Sequence, residues 1–405
     1  MRTRYGISPW IDLAPPARTA ALERLRGECL ADVVIVGGGL TGCLTAYACA
    51  SAGFDTVVVE RDRLGHGASG RSAGLLVPDP GTMFRDLERA LGRRAARKAF
   101  EGWRRATLDA AALLRRLKVS CGAEAVASSV VSRGRDGSWL ERECRVRLEA
   151  DLDAAWVSGR ALASLSVPPC EGAMRHTSSA VALDPYRACL GVAKAARAKG
   201  ARFFERTTVT KARPSAKHVD VLVNDGVVRA STVIVATGVP TMVGALRRHF
   251  KERETYHVLT DVIPAPMRRA LGVRPSTFLD SETPAHRVRW TSDHRVLVSG
   301  ATQKVTPART RDAVLVQRTG QLMYELLTMF PSISGLAPAY GWESIGGETV
   351  DGLPYIGPHR FFPRHLFALG GADDSVTGAF LAARVLLRAL QATPDPDDAV
   401  WAFTR

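Results

Sequence analysis

The stretch Gly37-Gly38-Gly39-Leu40-Thr41-Gly42 satisfies G-x-G-x-x-G, a spacing that could hold a phosphate. Main-chain N–H groups bind phosphate only when the backbone comes close, and a missing Cβ permits that approach. In such a turn Gly37 serves the tight bend, Gly39 the approach of a pyrophosphate, and Gly42 the packing of the next helix on its strand. Glu60 offers a carboxylate that can accept hydrogen bonds from both ribose hydroxyls of an unphosphorylated adenosine. That disfavours NADP.

A glycine motif alone is weak evidence, so the flanking elements decide the reading. Asp32-Val33-Val34-Ile35-Val36 is a β-branched run of buried-strand length leading straight into the turn. A helix from about Leu40 to Ser51 follows, aims its free N–H groups at the phosphates, and ends at Gly53. Thr56-Val57-Val58-Val59 makes a second strand that ends in Glu60. Strand, turn, helix, strand and acid together specify a dinucleotide site. Next comes a loop of small residues, Leu64-Gly65-His66-Gly67-Ala68-Ser69-Gly70-Arg71-Ser72-Ala73-Gly74, which lets backbone lie against a large ligand and favours FAD.

With 405 residues, 46% of them hydrophobic, the chain is long enough for two domains with sizeable cores and fits no disorder class. The start of the sequence shows no secretory signal, and no window reaches the ~18 uninterrupted apolar residues of a membrane span, so a cytoplasmic protein is expected. Seven cysteines form no C-x-x-C pair and no metal-ligand spacing. No Ser-His-Asp set or paired-carboxylate pattern stands out, which leaves chemistry to a cofactor. The net charge of +15 raises nucleic acid as a partner, disfavoured here because the charge falls partly on an amphipathic helix between Phe84 and Lys118. A solvated arginine face explains that helix better than a docking face does. Oligomeric state is not legible.

Further along, Val119 to His176 gives no sustained period. Asp184-Pro185 opens a helix running to about Lys199, with proline where its missing N–H is harmless. Strands follow at Arg202–Glu205, Thr207–Lys211, His218–Val223 and Val227–Ala230, with Asn224-Asp225-Gly226 as a hairpin turn. Thr232–Ala236 is another apolar strand, ending in Thr237-Gly238. Arg287–Trp290 and Arg295–Gly300 flank a hairpin, Gln317–Met329 is helical, and a last helix runs from about Val376 to Gln391.

The order Asp-Val-Val-Ile-Val-Gly-Gly-Gly, Val-Glu, Gly-Ala-Ser-Gly-Arg-Ser-Ala-Gly resembles the glycine/D-amino-acid oxidase (DAO) family of FAD-dependent oxidoreductases. Ser8-Pro9-Trp10 is similar to a segment of its γ-glutamylputrescine oxidase branch. Trp342 to Gly357 resembles the family's Trp-x-Gly-x(4)-Thr-x-Asp-x-x-Pro-x-Ile-Gly signature. The resemblance implies an α/β fold in which a Rossmann-like FAD-binding domain (30–85, 178–250, 338–405) interleaves with an α+β, antiparallel-sheet substrate domain (86–177, 251–337).

It also implies non-covalent FAD held by Gly37 to Gly42, Glu60, Arg61, Ala68, Ser69, Gly70, Arg71, Ser72, Val209, Thr237, Gly238, Gly347, Asp351, Gly371, Ser375, Val376 and Thr377. The last helix would aim its N-terminus at the flavin's pyrimidine edge, where reduction leaves negative charge. Two departures stand out: Ser344 replaces the usual glycine, and Ala372-Asp373-Asp374-Ser375 replaces a loop usually rich in glycine and histidine. Asp373 and Asp374 either receive a cationic amine or lie at the helix cap facing water. Candidate catalytic residues are Asp373, Asp374, His257 and Arg289, with Arg289 able to pair a substrate carboxylate and His66 a further histidine in the glycine loop. Three readings stay open: oxidation of the C–N bond of an amine or amino acid, with O2 or a quinone or other electron carrier as acceptor; flavin-dependent tRNA modification; and a non-enzymatic flavoprotein.

Overall fold

The computed structural model describes residues 2–15, 22–133, 137–272, 274–371 and 375–405. A sheet of eight strands carries the glycine turn. Its elements are β1 (Gly27–Val36), α1 (Leu40–Ser51), β2 (Thr56–Val59), α2 (Pro185–Ala198), β3 (Arg202–Phe204), β4 (Val209–Pro214), β5 (Val219–Val223), β6 (Gly226–Gly238), β7 (Tyr355–Pro358), β8 (His365–Leu369) and α3 (Ser375–Leu390). The strand order is β4-β5-β6-β1-β2-β3, with β8 on β6 and β7 on β8.

Strand β1 lies parallel to β2 and β6, and Val33 to Val36 are buried, as in a sheet covered on both faces. β6 is long because it serves twice. Its first half pairs antiparallel with β5 and its second half parallel with β8, so the meander peels away where β8 begins. Helix α1 packs between α2 and α3 on one face. Asp184 caps α2 by accepting from the Arg187 N–H at 2.9 Å, with Pro185 at the first position. α1 has no capping side chain of its own, since Gly39 precedes it.

The second, eleven-stranded sheet is mostly antiparallel. Strand Lys251–Thr260 lies at its heart, between Pro338–Glu348 and Val296–Lys304, with Arg287–Trp290 beyond. Helix Arg311–Met329 covers one face through Leu315, Leu322 and Leu326. The other face packs on Ala73, Leu75 and Val77, which follow the small-residue loop.

Two pairings in this sheet join residues expected in different domains. Pro338–Glu348 pairs along most of its length with Lys251–Thr260, so residues expected to open the last nucleotide-side segment belong to the larger sheet. Ala180–Ala182 likewise pairs with Leu75–Leu76 and Glu124–Val131. The helix expected between Phe84 and Lys118 is two, Phe84–Leu91 and Arg93–Arg116, broken at Gly92 with φ +83°. Several of its basic residues are paired: Arg97 with Glu101 and Asp151, Lys98 with Glu101 and Asp397, Arg105 with Asp109. The aperiodic stretch after it contains the helix Ser138–Glu149. Among the described residues no helix is long and apolar enough to cross a membrane.

Candidate functional site

The three motif glycines separate by what a Cβ would meet. At Gly37, with φ +112°, it would lie 2.6 Å from the Ala236 carbonyl oxygen, and at Gly42 it would lie 1.9 Å from that of Gly37. Both glycines are therefore demanded by the protein's own packing. A Cβ at Gly39 would meet only the Ser69 hydroxyl, at 3.0 Å, and Gly39 faces a cavity of about 410 Å3. Gly37, Gly39, Thr41, Glu60, Arg61, Ala68, Ser69, Val209, Thr237, Gly238 and Gly371 all line that cavity.

The Glu60 carboxylate sits at the end of β2, pinned by two main-chain donors. Gly38 N–H donates to one oxygen at 2.6 Å and Asp62 N–H to the other at 2.9 Å. Each carboxylate oxygen accepts more than one bond, so acceptor capacity remains for a ligand. At the start of α1 the Leu40 N–H is already taken by Ser69 Oγ at 2.8 Å. The helix end is thus tied to the small-residue loop, and Leu40 itself is buried.

Several cavity residues were not read from the sequence: Trp103, Thr207, Thr208, Val239 and Met242. Trp103 comes from the arginine-rich helix, and its buried indole N–H has no hydrogen-bond partner among the described residues. An orphaned donor on a wall that also presents a glycine turn and a carboxylate fits a ligand with oxygen acceptors and a ribose, which is what a dinucleotide brings.

The family model described as FAD dependent oxidoreductase, DAO, matches residues 32–389. The chain belongs to the DAO family of FAD-dependent oxidoreductases. This DAO-family chain is 28% identical to gamma-glutamylputrescine oxidoreductase of Escherichia coli (strain K12) over 395 residues, covering 94% of this chain and 88% of the relative. It is 26% identical to glycine oxidase of Bacillus licheniformis over 376 residues, 88% of this chain and 93% of the relative. Its fold is that of glycine oxidase from Geobacillus kaustophilus, with a TM-score of 0.75 at 19% identity over 93% of this chain and 99% of that one. L-amino acid deaminase from Proteus myxofaciens gives 0.76 at 14% identity over 96% and 97%. FAD is the cofactor of the family, and the residues around the cavity are those that would hold it.

The remaining expected cofactor residues in this DAO-family chain lie behind the lining. Gly70 and Arg71 continue the turn Ala68–Arg71, and Ser72 Oγ bonds the Ser69 carbonyl at 3.2 Å. Arg71 reaches across to Glu343, bonding its carboxylate at 3.0 Å and its carbonyl at 3.2 Å. Gly347 meets Gly371 in an isolated bridge between the two sheets. Asp351 lies outside the lining, paired with Arg405 at 2.7 and 2.9 Å and accepting from the Leu353 N–H, so its work is to brace the turn before β7. Val376 is buried in the first turn of α3, and Thr377 Oγ1 accepts from Val77 N–H at 3.1 Å. Asp373 and Asp374 lie outside the described residues, as does the side chain of Ser375.

His257 is wholly buried, stacked on Trp342 with ring centroids 5.2 Å apart. Both ring nitrogens are occupied, Nδ1 by Ser299 Oγ at 2.7 Å and Nε2 by Ser344 Oγ at 2.8 Å. Burial, with the nearby Arg71 charge, pushes its pKa down to about 3, so the ring is neutral. The serine that departs from the family pattern is therefore a partner of this histidine. Arg289 is 7% exposed and also lies outside the lining, its Nη1 donating to the carbonyls of Ala73, Gly74 and Leu183 at 2.8 to 3.2 Å. His66 faces Tyr186, whose hydroxyl is 3.3 Å from Nε2, and burial lowers its pKa.

Proposed function

We propose that this protein oxidises the C–N bond of an amine lacking an α-carboxylate, with FAD lying along the cavity and Glu60 on its adenosine ribose. When bound, FAD supplies the hydride acceptor. The chain supplies position: main-chain N–H groups and the cavity wall hold the cofactor, and the larger sheet sets the loop against which substrate must sit. One observation carries the choice of amine. Arg71, within the small-residue loop, and Arg289, which reaches it, are engaged by Glu343 and by main-chain carbonyls, and neither lines the cavity. A substrate carboxylate would want such a guanidinium free. The E. coli relative, named for γ-glutamylputrescine, supports oxidation at an amine carbon that bears no carboxylate, although the glutamyl end of that compound carries one.

His257 is poorly suited to be the base: it is wholly buried, bonded at both nitrogens, and a pKa of about 3 makes its ring a weak proton acceptor. The substrate must then arrive with its nitrogen unprotonated, and the rate should rise with pH as the amine loses its own proton. Anaerobic titration with polyamines, simple amines, α-amino acids and N-methyl amino acids tests the reading. Bleaching of the flavin by amines and not by α-amino acids is expected. Bleaching by α-amino acids alone, or by none of the panel, overturns it.

A further inference from the structure

Five consecutive carbonyls in the small-residue loop are each capped by a side chain from elsewhere in the chain. Gly70 O accepts from Ser8 Oγ, and Arg71 O from Trp342 Nε1 at 2.8 Å. Ser72 O accepts from Trp10 Nε1 at 3.0 Å, and Ala73 O and Gly74 O from Arg289 Nη1 at 2.8 and 3.1 Å. The donors are themselves held. Ser8 and Trp342 are wholly buried, Ser8 caps the helix Pro9–Asp12, and Trp10 lies beneath the Arg289 guanidinium at 5.4 Å. The loop cannot shift outward without breaking several of these bonds together.

Backbone geometry allows no substitute for two of these contacts. A Cβ at Gly74, where φ is +69°, would lie 2.3 Å from the Leu183 carbonyl and 2.9 Å from Arg289 Nη1. A Cβ at Gly70 would lie 2.3 Å from the Gly65 carbonyl and 3.1 Å from Ile11. The glycines let the loop press against its caps. Arg289 adds a charge to the geometry: among the described residues it makes no ion pair with a carboxylate, and Asp293, Glu124 and Asp184 act on it from a distance. Its positive charge stands behind a loop whose start, Ala68 and Ser69, lines the cofactor cavity.

We propose that Ser8, Trp10, Trp342 and Arg289 are positioning residues for the flavin, the three neutral donors setting the loop's distance from the ring system and Arg289 favouring its negatively charged reduced form. The inference rests on FAD lying along Ala68 and Ser69 and needs no particular substrate. Its readouts are therefore taken without one: FAD dissociation constant, two-electron midpoint potential, visible circular dichroism of the bound flavin, and melting temperature of the apoprotein.

Trp10→Phe removes the cap on Ser72 and should weaken FAD about tenfold and change the flavin's visible dichroism, with the apoprotein melting near the wild type. Arg289→Gln should cost the reduced flavin about tenfold relative to the oxidised, a fall of about 30 mV. Arg289→Lys keeps the charge and should keep the potential while loosening FAD. Because the two side chains touch, effects of Trp10→Phe and Arg289→Gln should not add. If Arg289→Gln fails to fold, Trp10→Phe and Arg289→Lys still decide. Wild-type FAD affinity, dichroism and potential in the folded variants, with only the apoprotein melting lower, would reduce these residues to structural ones and overturn the proposal. An enzyme that binds FAD with these responses but ignores amines would overturn the proposed substrate and leave the positioning role standing.

Discussion

The glycine turn and the small-residue loop meet at the cofactor cavity and are built by opposite means. At the glycine turn the protein works with what is missing: Gly37 and Gly42 exist because a Cβ would strike the Ala236 and Gly37 carbonyls, and Gly39 because the cavity begins there. At the small-residue loop it works with what is brought in, since Trp10, Arg289 and Trp342 come from 62, 216 and 271 residues away to cap consecutive carbonyls. The first device is local and intolerant of change. The second is distributed over several bonds, each of which can be lost by itself.

The largest expected effect therefore belongs to the turn. Gly42→Val would place a branched side chain where even a single carbon lies 1.9 Å from the Gly37 oxygen, forcing α1 off β1. Purified protein should carry no flavin and melt well below the wild type; a yellow protein of normal stability would break the contrast at its stronger side. Glu60→Gln comes next. It keeps the shape while weakening a charge-assisted bond worth roughly 1.5–3 kcal/mol, so FAD should bind about tenfold or more weakly without unfolding the chain. Unchanged affinity, measured by titrating apoprotein with FAD, would remove Glu60 from the ribose.

The same contrast explains what could be read in advance. β1, α1 and β2 are each announced by residues inside them: α1 and β2 have the bounds of the runs Leu40–Ser51 and Thr56–Val59, and β1 ends with the run Asp32–Val36 but begins earlier, at Gly27. The α2 start at Asp184-Pro185 is equally local. The capped loop announced only its glycines, because its donors are set by a sheet register, Trp342 opposite His257, that no short window contains. Trp103 stayed hidden for the same reason: its position in an amphipathic helix gives no sign that the indole faces the cavity. The Ser344 departure was visible as a difference, but its meaning came from the hydroxyl standing 2.8 Å from a histidine on the neighbouring strand.

That histidine gives a test of the larger sheet by pH. Its folded pKa of about 3 lies below its ordinary 6.5, so between those values the unfolded chain takes up the proton more readily than the folded one. His257 therefore imposes no loss above pH 6.5, and its contribution erodes as pH falls toward 3, by about 1.4 kcal/mol per pH unit inside that window. His257→Gln, which cannot charge, should flatten this part of the stability profile in urea melts at successive pH values. A variant as acid-sensitive as the wild type would mean that the ring finds water or a partner when it protonates.

The smallest effect should come from Glu343, and its smallness is the point. The carboxyl is largely buried, 12% exposed, and burial raises its pKa, while Arg71 at 3.0 Å favours the charged form. Glu343→Gln gives up a charge-assisted bond but also relieves a desolvated carboxylate with one oxygen lacking a partner among the described residues, so two effects of about 1–3 kcal/mol oppose each other. Arg71 moreover keeps its bond to the Glu343 carbonyl. FAD affinity should then change by no more than about threefold, whereas Glu343→Ala, which removes the acceptor and gains nothing for Arg71, should cost several times more. If Gln proved as damaging as Ala, the Arg71 tie would depend on charge, and the loop would be as intolerant of single changes as the glycine turn.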